Sequence, residues 1–410
     1  MIEPPKASQW FASPWNLAPE PDSVSALPPR IRFHDVTLRD GEQQAGIVFS
    51  RQERIAVARA LAECGVDRIE AGMPAESAAD RDLVETLASL GLSEKLFPFA
   101  GCSPESARIA RECGARGIVF KVTTSRHLLA HGYRQTLEQA IGDAIDATLA
   151  AREAGLYTVL FTIDATRTPL REYLDTVECI VSRGHCDSIA IADSYGAAAP
   201  NGIASAVRAL RQRLKLPVEI HCHNDFGLAV GNTLAGLMAG AEVAHVTVCG
   251  IGERAGNASL EETSMALRCL YGAQAGIDTE RLYGLSRMVR EFGGFALPPN
   301  RPIVGQDLYR IESGVVAMLH RRCRESHPLE YLPFLPEVAG GPPIEIVYGK
   351  GSGRANIEEF LEKRGISATD DEKRELVNGV REMALCRKRL LDADEVQAIW
   401  ERVRAVAIGN

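Results

Sequence analysis

Residues 156–163 read LYTVLFTI, eight positions without a single charge. Alternating apolar and polar residues would mark a strand with one wet face. A continuous run such as this one marks a strand covered on both faces, the habit of parallel sheets. Outward from it the chain repeats the theme. Short apolar, β-branched runs fall at Ile31–Val36, Asp67–Ala71, Leu96–Ala100, Gly117–Val122, Tyr157–Ile163, Ser188–Ala192, Val218–His223 and Val243–Val248. Their starts are 21 to 40 residues apart, the length of a strand plus a crossover helix. The stretches between, such as Arg51–Glu63 and Leu174–Ser182, carry apolar residues at three- and four-residue intervals, the helical period. Eight such units predict an α/β fold, a (β/α)8 TIM barrel over residues 31–275. A doubly wound open sheet is the rival, but no G-x-G-x-x-G follows the first run.

The flanks read differently. Residues 1–30 are rich in Pro, Ser and Ala and hold Trp10 and Trp15, too little for a core of their own. They are expected to form an arm that docks on the body or on a second subunit. After residue 275 the alternation stops. LPPNRPIVG, a helical stretch Ser313–Arg324, the Pro-rich HPLEYLPFLPEVAGGPP and a charged tail predict a mostly helical C-terminal subdomain over 276–410, serving dimerisation and active-site closure.

Composition narrows the partners. A formal charge of −8 without a basic cluster argues against nucleic acid. No run approaches the ~20 apolar residues of a membrane span. Ten cysteines without C-x-x-C pairs suit reduced thiols in a cytoplasm, and the N-terminus lacks the look of a secretory signal.

In a barrel the chemistry gathers where strands end. Those ends carry Arg39, Asp40, Glu42 and Gln43 after the first run, Glu70 after the second, Ser125 and His127 after the fourth, and Asp164, Thr166 and Arg167 after the fifth. Asp193 and Ser194 follow the sixth, HCHND (221–225) closes the seventh, and GIGERAGN (250–257) opens from the eighth. His221 and His223 are two apart on a strand and so share a face. With Asp40 they offer two imidazoles and a carboxylate to one divalent ion: Mn, Zn, Fe or Mg. Such an ion polarises a carbonyl, and Arg39 beside it could stabilise a developing oxyanion. Alternatively Arg39 and Asp40 form a structural ion pair. The glycines of GIGERAGN permit close approach to a ligand, and Asn257 or Ser259 could cap the helix that follows; the segment reads equally as a plain turn.

Taken together, VTLRDGEQQAG, HCHNDFGLAVGNTLAGLMAGA and GIGERAGNASLEE resemble the DRE-TIM metallolyases, in the branch of the 2-isopropylmalate, citramalate and homocitrate synthases. IEAGMPA and ALRCLYGAQAGID are similar to homocitrate synthases in particular. The resemblance implies a metal-dependent condensation of acetyl-CoA with a 2-oxo acid in a homodimeric barrel enzyme. It implies metal ligands Asp40, His221 and His223, with Asn257 as a further one. It places Arg39 at the oxo group, Ser194 where the family has a threonine holding the carboxylate, and His127 and Arg167 toward the substrate.

The pattern breaks in the subdomain. Where the family reads F-x-H-E-S-G-I-H, this chain reads YRIESGVV, with Ile311 and Val316 in place of both histidines. Gly351 replaces a third histidine, and Ile163 the acid of E-D-x-x-R. Three readings follow: a condensing enzyme whose proton is moved by another group, with His320 one helical turn beyond Val316 and Tyr331 as the candidates; a CoA-independent, metal-dependent aldolase or lyase; or a non-catalytic metal- and ligand-binding homologue. Tyr331 reads equally as a catalytic phenol or a packed aromatic.

Overall fold

The computed structural model describes residues 9–13, 16, 27–273 and 275–409, with side chains in the last helix as far as residue 406. Contacts divide the chain into Pro14–Leu297 and a second unit of Met1–Ser13 with Pro298–Asn410.

In the first unit eight strands form one parallel sheet: β1 (Arg32–Asp35), β2 (Arg68–Ile69), β3 (Phe99–Gly101), β4 (Gly117–Thr123), β5 (Tyr157–Ile163), β6 (Ser188–Asp193), β7 (Val218–Cys222) and β8 (Val243–Val246). Their order is β2-β1-β8-β7-β6-β5-β4-β3. The ends of that row meet. Ile69 bridges Leu96, and Phe97 N and Phe99 N donate to Ile69 O and Gly72 O, each at 3.1 Å. The sheet is thus a closed barrel, and LYTVLFTI lies in its wall with Thr158–Thr162 buried.

Each strand is followed by a helix: α1 (Arg51–Cys64), α2 (Ala78–Leu87), α3 (Pro104–Glu112), α4 (Leu137–Glu153), α5 (Leu170–Arg183), α6 (Pro200–Leu214), α7 (Ala229–Met238) and α8 (Leu260–Tyr271). Local chemistry starts them. Ser50 accepts from Glu53 N while the Glu53 carboxylate accepts from Ser50 N, a reciprocal cap on α1. A further helix, α9 (Leu282–Gly293), belongs to this unit and buries Leu282, Leu285 and Val289. The break therefore falls after Leu297, later than the expected 275/276.

The barrel interior is divided. Phe97, Phe99, Val119, Val159, Phe161, Ala190 and Ala192, from β3–β6 and its approaches, make an apolar half. The rest is a buried polar network. His34 Nε2 meets Glu70 Oε2 at 3.1 Å, His245 Nε2 meets Glu219 Oε2 at 2.7 Å, and Glu219 Oε1 accepts from Arg68 Nη1 and Ser188 Oγ, both at 2.6 Å. Buried charges persist only when paired in this way.

The second unit holds α10 (Gly314–Cys323), α11 (Arg354–Lys363), α12 (Asp370–Arg387) and α13 (Ala393–Gly409), with a two-residue parallel pairing of Arg310–Ile311 with Glu345–Ile346. Ile357, Phe360, Leu376, Val380, Val396 and Trp400 are among its core. The subdomain is helical, as the sequence predicts. Of the N-terminal arm, Gln9–Phe11 pairs with this unit: Trp10 bridges Phe334, and Leu335 N donates to Gln9 O at 2.8 Å. Trp15 lies outside the described residues. All ten cysteines are free thiols, and no helix among the described residues is long and apolar enough to cross a membrane.

Candidate active site and metal centre

His221 and His223 stand on β7 and just past it, two residues apart, and both imidazoles turn inward. Their Nε2 atoms face each other at 3.2 Å, and Asp40 Oδ2 lies 3.5 Å from each. All three side chains are buried. Ligands ~2.1 Å from one ion are separated by ~3.0 Å in an octahedron and ~3.4 Å in a tetrahedron. The triad has the edge lengths of a first coordination sphere. Burial disfavours the imidazolium forms: it lowers His221 and, with His221 beside it, takes His223 down to about 4, so both rings are neutral near pH 7, the form that ligates a metal. Burial alone would raise Asp40, but Arg39 and the two histidines reverse it and keep the carboxyl well below the usual range.

Asn257 does not cap the helix, contrary to one expectation; Ser259 does, accepting from Glu262 N at 3.3 Å. The Asn257 amide instead donates to Asp40 Oδ1 and to Ile251 O, both at 3.1 Å, and its Oδ1 is buried with no partner. That orphan oxygen is the kind of donor a fourth ligand supplies. Gly252 makes room for the arrangement. A Cβ there would sit 2.1 Å from Asn257 Nδ2 and 2.7 Å from Asp40 Oδ1, on a backbone with φ +151°. The residues present fit a divalent ion.

Arg39 is buried beside this triad. Its Nε is paired with Glu70, its Nη1 donates to Asp40 Oδ2 at 3.2 Å, and its plane lies 4.0 Å over the Phe99 ring. Nη2 has no partner. Arg39 thus forms the ion pair with Asp40 that one expectation gave it, and its Nη2 is left without a partner. Each Glu70 oxygen is engaged, one by Arg39 and the other by His34, so Glu70 holds Arg39 in place. Burial would raise Glu70, but Arg39 and His34 hold it down at about 2.

A second group gathers at the ends of β4–β6. Asp164 is buried and grips Arg167 with two bonds, 2.6 and 2.9 Å. Its N–H donates to Ser194 Oγ at 2.9 Å. His127 is half exposed, hydrogen-bonded to Ser125 Oγ at 3.0 Å and 3.7 Å from Asp164 Oδ2. Arg167 stacks on Tyr195 at 3.9 Å, a rim aromatic that the sequence reading missed. Gln43 is exposed, and its neighbour Gln44 instead bonds Gly252 N through Oε1 at 3.3 Å.

Within the second unit, His320 Nδ1 meets Tyr331 OH at 2.8 Å, the rings edge to face. The two expected replacement groups are therefore a bonded pair. Burial lowers the imidazole and raises the phenol, so each is neutral near pH 7. Ile311 is buried in that unit's core and Val316 packs against it. Gly351 N donates to Glu312 Oε1 at 2.8 Å.

A second cluster of ligand-type side chains, His34, Glu219 and His245, is fully buried below the triad-bearing ends of the strands. Here the Glu219 carboxylate already accepts from Arg68, Ser188 and His245 and is taken up by the network, while His34 Nδ1 and His245 Nδ1 are buried without a partner.

Comparison with known proteins agrees with this geometry. The HMGL-like family model matches residues 30–289. The chain is 38% identical over 373 residues, 91% of its length and 93% of the relative's, to the homocitrate synthase AksA of Methanothermobacter thermautotrophicus. It is 35% identical over 381 residues, 92% of its length and 72% of the relative's, to the 2-isopropylmalate synthase of Methanocaldococcus jannaschii. Among solved structures, the Bacillus subtilis HMG-CoA lyase superposes with a TM-score of 0.60 at 19% identity, over 66% of this chain and 96% of the lyase, and so shares its fold. The chain belongs to the HMGL-like family, the DRE-TIM metallolyases, and within it to the branch of the homocitrate and 2-isopropylmalate synthases.

Proposed function

We propose that the protein condenses the acetyl group of acetyl-CoA with a 2-oxo acid, giving a 2-hydroxy acid with one more carboxylate and free CoA. The observation that carries this reading is the convergence of Asp40, His221 and His223 beside an arginine whose Nη2 has no partner. Asp40, His221, His223 and Asn257 Oδ1 would hold the divalent ion. Bound there, the ion supplies a Lewis acid toward the oxo and carboxylate oxygens of the 2-oxo acid.

Arg39 Nη2 donates to the oxo oxygen and stabilises the negative charge that grows on it. Ser194, with His127 and the Asp164–Arg167 pair, orients the carboxylate end. The acetyl methyl loses a proton, its carbon bonds the oxo carbon, and the oxo oxygen takes up a proton. Water then adds to the thioester and the CoA thiol leaves. For the proton transfers we propose the His320–Tyr331 pair, which stands in for the histidines missing at 311 and 316. The enzyme is proposed to work as a homodimer in the cytoplasm, with the C-terminal unit as its dimerisation and closure element and without nucleic acid or membrane as partner.

The apolar packing of Ile311 and Val316 favours a second reading, a CoA-independent lyase in which Arg39 and the ion alone stabilise an enolate. Thiol release from acetyl-CoA by metal-loaded protein separates the two. The panel is 2-oxoglutarate, oxaloacetate, pyruvate, 2-oxoisovalerate and glyoxylate. Release with one acid is expected. Silence across the panel at full metal occupancy, with cleavage of a 2-hydroxy acid, would replace condensation by lyase chemistry; binding without any turnover would leave the non-catalytic homologue.

A further inference from the structure

The loop GIGERAGN (250–257) turns through four residues with positive φ. Three are glycines: Gly250 at +67°, Gly252 at +151° and Gly256 at +81°. The fourth is Arg254, at +57°, in the left-handed region that L side chains avoid. Glycine would sit there without strain. A side chain persists in such a conformation where its contacts over-determine it, so the strain directs attention to what the guanidinium does.

The guanidinium spans two neighbouring loops. Its Nε and Nη2 donate to Asp225 Oδ1 and Oδ2 at 2.8 and 2.9 Å, a two-pronged pair with the loop after β7. Nη2 also donates to Ser194 O, just past the end of β6, at 2.7 Å. Gly196, at φ +58°, lets the turn after β6 wrap the same carboxylate: a Cβ there would sit 3.0 Å from Asp225 Oδ2. The guanidinium also lies 5.2 Å from the centre of the Tyr195 ring, which carries Arg167.

The main chain shows why a side chain is needed here. The loops after β7 and β8 are joined by backbone bonds, Asn224 N to Gly256 O at 2.9 Å and Ala258 N to Cys222 O at 3.2 Å, and these seat His223 and Asn257. Between β6 and β7 the ladder stops at His223 N to Asp193 O, 3.2 Å. The next carbonyl is Ser194 O, and Arg254 supplies its donor. Arg254 thus adds a rung where the backbone has none. Its side chain and that of Asp225 are 36% and 22% exposed, and ion pairs this wet contribute little to stability. What the pair fixes is position.

Resting on the condensation reading above, we propose that Arg254 is a positioning residue for the 2-oxo acid, registering Ser194 against the metal ligands His223 and Asn257. In that reading Ser194 orients the carboxylate end of the substrate while the ligands hold the ion. The two halves of the site stand on different loops, and Arg254, anchored by Asp225, ties them at one spacing. It acts through Ser194 and not on the substrate itself. The metal ligands keep their own backbone bonds, so the loss of Arg254 falls on substrate binding and spares the ion.

The test compares Arg254→Gly with the wild type in metal content, melting temperature and calorimetric binding of 2-oxoglutarate, oxaloacetate, pyruvate and 2-oxoisovalerate. Glycine removes the guanidinium and the backbone strain together, so the melting temperature should hold within ~3 °C and the metal complement should stay full. Affinity for the 2-oxo acid that binds the wild type best should fall ~10–100-fold, and in thiol release KM should rise more than kcat falls. Arg254→Lys should restore part of the affinity, since an ammonium lacks the fork that reaches Asp225 and Ser194 O at once. Asp225→Asn should weaken binding alone and add nothing to Arg254→Gly. Unchanged affinity in folded, metal-loaded Arg254→Gly overturns the proposal. So does a parallel fall of melting temperature, metal content and binding, the mark of a plain brace, and so does a wild type that binds no acid of the panel. Arg254-dependent binding without any thiol release sinks the condensation reading and leaves Arg254 in place. Thiol release with KM and kcat indifferent to Arg254→Gly does the reverse.

Discussion

His34 lies face to face with His245: the ring centroids are 4.3 Å apart, the planes 12° from parallel, and the two are register partners on β1 and β8. Each ring passes its Nε2 to a carboxylate, Glu70 on one side and Glu219 on the other. The result is a continuous run, Arg39–Glu70–His34–His245–Glu219–Arg68, from the guanidinium beside the triad to the layer below. Arg39 is held by Glu70, and Glu70 in turn by His34.

This run sets the first expectation. Glu70→Gln leaves the Arg39 guanidinium without its buried counter-charge, which destabilises a protein by about 3–5 kcal/mol and frees Nη2 from its aim. Thiol release should fall at least ~100-fold, in kcat more than in KM. His34→Phe keeps the stack and loses only one bond to Glu70, so its effect should be an order of magnitude smaller. Equal losses in the two variants would sever His34 from the orientation of Arg39.

Metal removal is a stability experiment as well as an activity one. A ligand that binds only the folded state at 100 times its Kd adds about 2.7 kcal/mol. Chelation should therefore lower the melting temperature of the wild type. His223→Ala should have lost both the ion, by elemental analysis, and the response to chelator.

Gly252 offers a test that alters no ligand. Gly252→Ala drives a methyl into Asn257 Nδ2 and Asp40 Oδ1. Metal stoichiometry should drop although Asp40, His221, His223 and Asn257 are all present. Full occupancy in that variant would mean that the GIGERAGN loop can shift and that its close approach is not required.

The His320–Tyr331 pair is suited to a double-mutant cycle. His320→Ala and Tyr331→Phe should each cost thiol release ~100-fold or more, and the double variant little beyond the worse single one, because they act as a unit. A full-rate His320→Ala enzyme removes the pair from the mechanism.

Asp35 gives a pH dependence with a definite sign. Burial pushes its carboxyl up to about 7, against an ordinary value of 3.8, although Thr37 donates to it from N–H and Oγ1. The folded chain holds this proton more tightly than the unfolded one. Its contribution to stability is thus whole below about pH 4 and is lost as pH rises to about 7. Urea denaturation between pH 4.5 and 7.5 should show Asp35→Asn losing less stability with rising pH than the wild type, by up to ~1.4 kcal/mol per pH unit.

Much of this was legible in the amino acids because strands impose a short period. The eight runs of β-branched residues mark the barrel wall to within a few residues, and H-x-H announces two imidazoles on one face. Asp40 joins them from 181 positions away, and only closure of β1 on β8 brings it there. What stayed hidden was polar residues inside strands. His34, Glu219, His245 and Lys121 sit in otherwise apolar runs, and nothing local says which neighbouring strand will supply a partner. The bond from Gly252 to Gln44, and the choice of Ser259 over Asn257 as helix cap, depend on turns where a single residue changes the outcome.

Closure also has a temporal side. Val248 N donates to Thr37 Oγ1 at 2.9 Å, across 211 residues of chain. On a ribosome, β1 emerges first and waits for a neighbour that is made last. Until then His34 and Asp35 face solvent at an open sheet edge, and the intermediate is exposed to aggregation. Folding of so non-local a pairing is slow. A truncated chain ending before β8 should be a client of the cell's chaperones, however complete its first seven repeats.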